Sequence, residues 1–148
     1  MSTPDFRPAR PEDYSGIRAL LIKEGLPSED IAVGQASRFH LVVQDGELLA
    51  CAGLEPYGSD ALLRSVAVAK QARRNGLGRA LVGIAERDAA AMGVRRLFLL
   101  TTTAADYFTV LGYELIDRDQ APGPLQASSQ FRLLCPASAI CMAKYLSP

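Results

Sequence analysis

Cysteine is scarce in these 148 residues: Cys51, Cys135 and Cys141 make an odd set that paired disulfides cannot use up. Residues 1–10 hold no apolar stretch of the kind an export signal needs, so the thiols read as reduced and the chain as cytoplasmic. Long apolar runs are also missing. Stretches such as residues 19–22 fall far short of the roughly 20 residues of a bilayer span, and no membrane partner is expected. Nor is one sign of charge in excess. The 16 Lys+Arg balance 16 Asp+Glu, which excludes capture of nucleic acid or anionic lipid by a summed positive field. Histidine occurs once, at His40, with no partner visible in the sequence, and is read as an edge residue ahead of a strand. Without Cys-x-x-Cys or a cysteine–histidine spacing, no metal is expected. With 49% apolar residues, the chain can bury the core of a single domain over residues 1–148.

What is there is an alternation of element types. A short strand is predicted near residues 5–7. A helix starts at Pro11-Glu12-Asp13 and carries Ile17, Leu20 and Leu21 on one face until Gly25. A second short helix follows Pro27. Residues 41–44 and 47–53 form a hairpin around Asp45-Gly46. Another strand spans 62–69, and an amphipathic helix runs from Gly76 to Met92 and stops at Gly93. The run 97–100 is continuously apolar, as in a strand covered on both faces. A helix over 104–111 and strands over 113–116 and 138–145 complete the order. Residues 117–130, centred on Pro122-Gly123-Pro124, are predicted to be a long surface connection. The sum is a mixed α/β domain.

The sharpest local feature is Arg73-Arg74-Asn75-Gly76-Leu77-Gly78, between a strand and the helix it opens. Glycines there let main-chain N–H groups approach an anion, and a helix start adds unpaired donors and a positive dipole end. From residue 61 to 85 there are Arg64, Lys70, Arg73, Arg74 and Arg79 and no Asp or Glu. No Lys-Ser or Lys-Thr follows the second glycine, and the G-x-G-x-x-G order is missing, which excludes two common nucleotide loops.

In its context, Arg73-x-x-Gly76-x-Gly78 after Leu63-Arg64-Ser65-Val66-Ala67-Val68 resembles the acyl-coenzyme A loop of the GCN5-related N-acetyltransferases (GNAT). Ala104-Ala105-Asp106-Tyr107-Phe108 through Leu111-Gly112-Tyr113 resembles that family's later helix and strand. The resemblance implies a mixed, mostly antiparallel central sheet flanked by helices, with two central strands splayed apart. It also implies acetyl-CoA as co-substrate, with Val66, Ala67 and Val68 beside the pantetheine arm and Arg73, Arg74, Asn75, Gly76, Leu77, Gly78 and Arg79 around the pyrophosphate. Three further blocks are similar to a subgroup named for arsenic resistance: Gly53-Leu54-Glu55-Pro56-Tyr57-Gly58, Leu99-Leu100-Thr101-Thr102-Thr103-Ala104 and Leu134-Cys135-Pro136-Ala137-Ser138-Ala139-x-Cys141-Met142.

The implied activity is acetyl transfer to the amine of a small molecule, amino-acid-like or arsenic-related, directly within a ternary complex. A non-catalytic CoA-binding or thiol-based metalloid-binding module is the alternative. Positioning the two substrates supplies much of the acceleration without an enzyme nucleophile. Glu55, just past the strand, is the candidate general base, or else a solvated turn residue. Phe108 stands where many family members carry a tyrosine, which leaves Tyr107 as the candidate acid or as core packing. Arg64 is a candidate for an acceptor carboxylate or oxyanion, or else a solvated strand residue. Thr101, Thr102 and Thr103, which follow the strand at 97–100, offer hydroxyls to the pantetheine amide or the acceptor, or else are ordinary β-branched residues at a strand end. A site for a soft metalloid would need Cys135, Cys141 and Cys51 together; buried free cysteines otherwise act as small hydrophobes. The oligomeric state is open, a homodimer among the options.

Overall fold

The computed structural model describes residues 3–29, 31, 38–128, 130–135 and 138–146; the helix expected after Pro27 lies largely outside them. The elements are β1 (Asp5–Pro8), α1 (Tyr14–Lys23), β2 (Arg38–Gln44), β3 (Glu47–Tyr57), β4 (Asp60–Val68), α2 (Leu77–Ala91), β5 (Arg96–Thr101), α3 (Ala105–Val110), β6 (Glu114–Ile116) and β7 (Ile140–Tyr145). They form one seven-stranded sheet in the order β1-β2-β3-β4-β5-β7-β6. Every neighbouring pair is antiparallel except β4 with β5. This is a single α/β domain, as the element order predicted, with the mixed, mostly antiparallel sheet that the family resemblance implied.

Helices α1, α2 and α3 stop in the same way. Gly25, Gly93 and Gly112 take φ of 74°, 89° and 100°. The amides of Leu26, Val94 and Tyr113 then reach back to the carbonyls of Leu21, Ala89 and Phe108, closing orphan acceptors with a glycine-allowed turn. Glu24 thereby becomes the C-cap of α1.

Alternation along the strands divides the core by face. Ala50, Ala52 and Leu54 of β3, Leu63 of β4 and Leu97 and Leu99 of β5 pack with Leu81, Val82, Ala85 and Ala89 of α2. Their sequence neighbours face the other way. Leu41, Cys51 and Ala67 meet Ile17, Leu20 and Leu21 of α1. Leu62, Phe98 and Cys141 meet Leu125 and Phe131. The second face is thus covered by α1 on one half and by the segment preceding β7 on the other.

Three expectations are corrected. The segment 117–130 is not a plain surface loop: it holds helical turns at Arg118–Gln120 and Gly123–Gln126 and runs into a π-helical turn at Gln130–Leu134. Leu125 and Phe131 in it are buried, and Arg118 Nη2 donates to the carbonyl of Phe131 at 2.5 Å. Glu55 lies inside β3, opposite Leu62, because the strand continues through Pro56 to Tyr57. His40 is not at an edge. It pairs with Pro8 of β1 and Ala52 of β3, and its Nε2 lies 3.4 Å from Asp88 Oδ2 on α2.

Candidate active site

The site begins where the sheet fails to pair. β4 and β5 are bonded only from Asp60–Arg96 to Leu62–Phe98; beyond that the two strands run on without each other. A bulge sets β4 on its own course: Cys51 faces Ala67 and Gly53 faces Arg64, so two residues of β4 stand against one of β3. Ser65 in the bulge adopts φ of 57°, rare for a residue other than glycine. Its carbonyl, turned out of the ladder, accepts the Cys51 thiol at 3.3 Å. Burial pushes that thiol up to about 12. The parted strands leave main-chain polar groups of β4 facing a cleft instead of a neighbour.

This cleft has a volume of about 1030 Å³. Its walls include Val66, Ala67 and Val68 of β4, the start of α2, residues 99–104 and the tip of α1 at Glu24. Gly76 caps α2 with φ of 74° and Arg74 before it has φ of 70°, a tight reversal that aims successive amides one way. The first intrahelical bond made to Gly76 comes from Ala80, so Leu77, Gly78 and Arg79 have amides without acceptors in the helix. No acidic residue occupies that first turn. Gly78 answers a space requirement: a Cβ there would lie 2.7 Å from Tyr107 Oη and 3.2 Å from Val68 Cγ2. Arg73 is committed elsewhere. Its guanidinium pairs with Glu24 and donates through Nε to the Val68 carbonyl at 3.1 Å, so it ties α1 to the loop.

Tyr107 and Phe108 divide the roles of the aromatic pair. Phe108 is buried, edge-on to Tyr113 with ring centroids 5.6 Å apart, and belongs mainly to the core. Tyr107 is 42% exposed, lines the cleft and places its hydroxyl against the first turn of α2. Partial burial raises its pKa, so the hydroxyl keeps its proton across the neutral range. Thr101, Thr102 and Thr103 line the cleft too, but Thr101 Oγ1 accepts the Ala104 amide at 2.9 Å at the start of α3.

On the second face of the sheet the cleft is lined by the end of α1 and by the segment before β7. Arg64 lines it with a side chain only 1% exposed; its Nη1 donates to Glu55 Oε2 at 2.9 Å and its Nε to Ser65 Oγ at 2.9 Å. The other Glu55 oxygen accepts from Tyr57 Oη at 3.0 Å, and burial with the carboxylate charge pushes that phenol up to about 12. Both oxygens of Glu55 are therefore engaged, and the residue is not among those lining the cleft. This weighs against its expected role as base, and the reason is steric and electrostatic: it sits behind Arg64 and stabilises that cation. Residues that the sequence did not single out also line the cleft, among them Glu24, Ser65 and Gln130. Only the helix-ending Glu24-Gly25 gave a sequence signal for any of them.

The three cysteines do not converge. Cys51 lies in the core under α1, and Cys141 lies in the core under Leu125 and Phe131, its thiol pushed by burial up to about 11. Cys135 is half-buried at the cleft wall. Among the described residues, no three His, Cys, Asp or Glu side chains gather as a metal would need.

Comparison with known proteins agrees with this geometry. The chain is 31% identical over 124 residues to an amino-acid acetyltransferase of Pseudomonas syringae pv. syringae, covering 78% of this chain and 29% of that one. It is 34% identical over 117 residues to an amino-acid acetyltransferase of Azotobacter vinelandii, covering 74% and 27%. It thus spans less than a third of the length of these curated relatives. Among solved structures, N-acetylglutamate synthase from Neisseria gonorrhoeae, complexed with coenzyme A and N-acetyl-glutamate, superposes with a TM-score of 0.83 at 21% identity over 100% of this chain and 36% of that one. A Mycobacterium tuberculosis protein in complex with CoA and NLQ gives 0.79 at 20% identity, over 97% and 99%. These two likenesses establish the fold. Residues 4–113 match the acetyltransferase (GNAT) family, and with its strands parted and its bulge and helix start at the gap, the chain belongs to that family.

Proposed function

We propose that this protein transfers the acetyl group of acetyl-CoA directly to the amine of a small, amino-acid-like acceptor. The observation that carries the reading is the gap between β4 and β5, which opens beyond Leu62 and ends at an acid-free helix start. An extended thioester arm fits the gap, and a diphosphate fits the amides beside Gly76. In this reading Val66, Ala67 and Val68 present main chain to the pantetheine, and the turn from Arg73 to Arg79 holds the pyrophosphate. The acceptor nitrogen attacks the thioester carbonyl; a C–N bond forms, the C–S bond breaks, the amine loses a proton and the thiolate gains one. No enzyme nucleophile is required, in keeping with the buried, weakly acidic thiols of Cys51 and Cys141.

The amino-acid class is supported by the relatives named for amino-acid acetylation and by a buried arginine, Arg64, in the lining of the cleft. The blocks resembling the arsenic-resistance subgroup extend that class to arsenic-containing amino-acid analogues, and the three free thiols suit a reducing, cytoplasmic compartment. A panel of amino acids, simple amines and arsenicals, followed by release of free CoA thiol, tests the whole reading. Amine-dependent release is expected; tight acetyl-CoA binding with no release across the panel would point to a non-catalytic module.

Tyr107 is the proposed proton donor to the departing thiolate. Tyr107→Phe is expected to lower kcat by about 100-fold while acetyl-CoA affinity changes less than about threefold. Equal kcat in the two proteins would remove Tyr107 from the chemistry.

A further inference from the structure

The segment before β7 carries a polar side chain whose bonding is incomplete. Gln130 is 6% exposed and lines the cleft on the same wall as Cys135 and Ala139. Its Oε1 accepts the Cys135 thiol at 3.3 Å, which turns the amide nitrogen away from the sulfur. That nitrogen, Nε2, has no hydrogen-bond partner among the described residues and no contact with solvent. Folded proteins rarely leave an amide donor idle, and where they do the defect tends to mark a functional site. The Cys135 thiol accounts for the amide oxygen alone; the nitrogen has no such use among the described residues.

Position supplies the reason. The proposed diphosphate end of the cleft lies at α2, on the first face of the sheet; Gln130 and Arg64 line the cleft on the second. Glu55 holds Arg64 directly, and Tyr57, which donates to the other Glu55 oxygen, packs against the cluster that contains Leu125 and Phe131.

Resting on the acetyltransferase reading above, we propose that Gln130 selects the acceptor: its Nε2, covered and idle here, turns into the cleft that the residue lines and donates a hydrogen bond to a carboxylate oxygen of an amino-acid substrate, at the end away from the reacting amine. Steady-state kinetics with an amino acid and its decarboxylated amine test this in Gln130→Met and Gln130→Glu. For Gln130→Met the amino-acid KM rises at least tenfold, kcat and the KM for acetyl-CoA stay within about threefold, and the melting temperature holds or increases. Gln130→Glu, which keeps the size but opposes an anion, raises the amino-acid KM further. In both variants the preference for the amino acid over its decarboxylated amine shrinks. A lowered melting temperature with an unchanged amino-acid KM would assign Gln130 to the framework and overturn the proposal.

Calorimetric titration of the amino acid into the protein–CoA complex, which has no acetyl group to transfer, separates this claim from the activity. Equal affinities in wild type and Gln130→Met overturn the selector role even where acetyl transfer occurs. Weaker binding in the variant supports it even where no transfer is found, a result that would sink the acetyltransferase reading alone.

Discussion

Gly76→Glu is expected to weaken acetyl-CoA binding at least 100-fold while the chain still folds. Gly76 is the cap of α2, exposed, with φ of 74° and nothing within 4 Å of where a Cβ would stand. Steric clash is thus not the source of the effect. A side chain at this φ costs roughly 1–2 kcal/mol of strain, which a domain of this size tolerates. The loss comes from charge: a carboxylate beside the amides of Leu77, Gly78 and Arg79 occupies their positive end and repels an incoming diphosphate. A 100-fold change corresponds to about 2.7 kcal/mol, within reach of a charge placed against the ligand's own. Gly76→Ala separates the two contributions, since it carries the same strain and no charge. Calorimetric titration of acetyl-CoA into both variants decides: a folded Gly76→Glu protein that binds as well as Gly76→Ala would remove the diphosphate from this turn.

The loop itself was legible in the sequence because its chemistry is local. Gly76 and Gly78 stand at a strand-to-helix turn with five basic residues and no acid from 61 to 85, and each of those facts is visible without tertiary structure. The helices were legible for a similar reason, their apolar faces ending at Gly25, Gly93 and Gly112. The second face of the sheet was not. Ser65 breaks the strand pattern with a positive φ at a residue type that gives no warning, and the bulge decides which β4 side chains enter the cleft. Residues 117–130 read as a loop from their proline and glycine content, yet Arg118 and Gln126 supply side-chain hydrogen bonds to main-chain carbonyls that fold the segment onto itself. Gln130 is buried by that folding, not by any periodicity. Glu55 was visible as an acid but not as an ion-pair partner. The pairing was in principle countable: the turn after Tyr57 sets Glu55 opposite Leu62, and Arg64 is the diagonal neighbour on the same face.

That diagonal pair yields the largest expected effect on stability. Glu55→Ala takes the facing carboxylate from a guanidinium that is 1% exposed, and the same change removes the acceptor of the Tyr57 hydroxyl. Breaking a buried ion pair from one side costs about 3–5 kcal/mol, so the melting temperature should fall by roughly 10 °C. Arg64→Met is expected to be comparably costly, because the carboxylate is then the member left behind. Replacing both, Glu55→Met with Arg64→Met, should recover much of the loss, since two apolar side chains of similar volume need no counter-charge. A general base predicts something else. It would give Glu55→Gln a collapse of kcat with the acid limb of the pH–rate profile removed, and a melting temperature close to that of the wild type. If Glu55 instead holds Arg64 in the wall of the cleft, Glu55→Gln retains the limb, keeps one amide oxygen to accept from Arg64 while the Tyr57 hydroxyl loses its acceptor, and shows its defect chiefly as a raised acceptor KM. Thermal unfolding of the double-mutant cycle, together with pH–rate profiles of Glu55→Gln and wild type, distinguishes the two roles: additive single-mutant losses would rule out the pair as a coupled unit, and a vanished acid limb would restore the carboxylate to the chemistry.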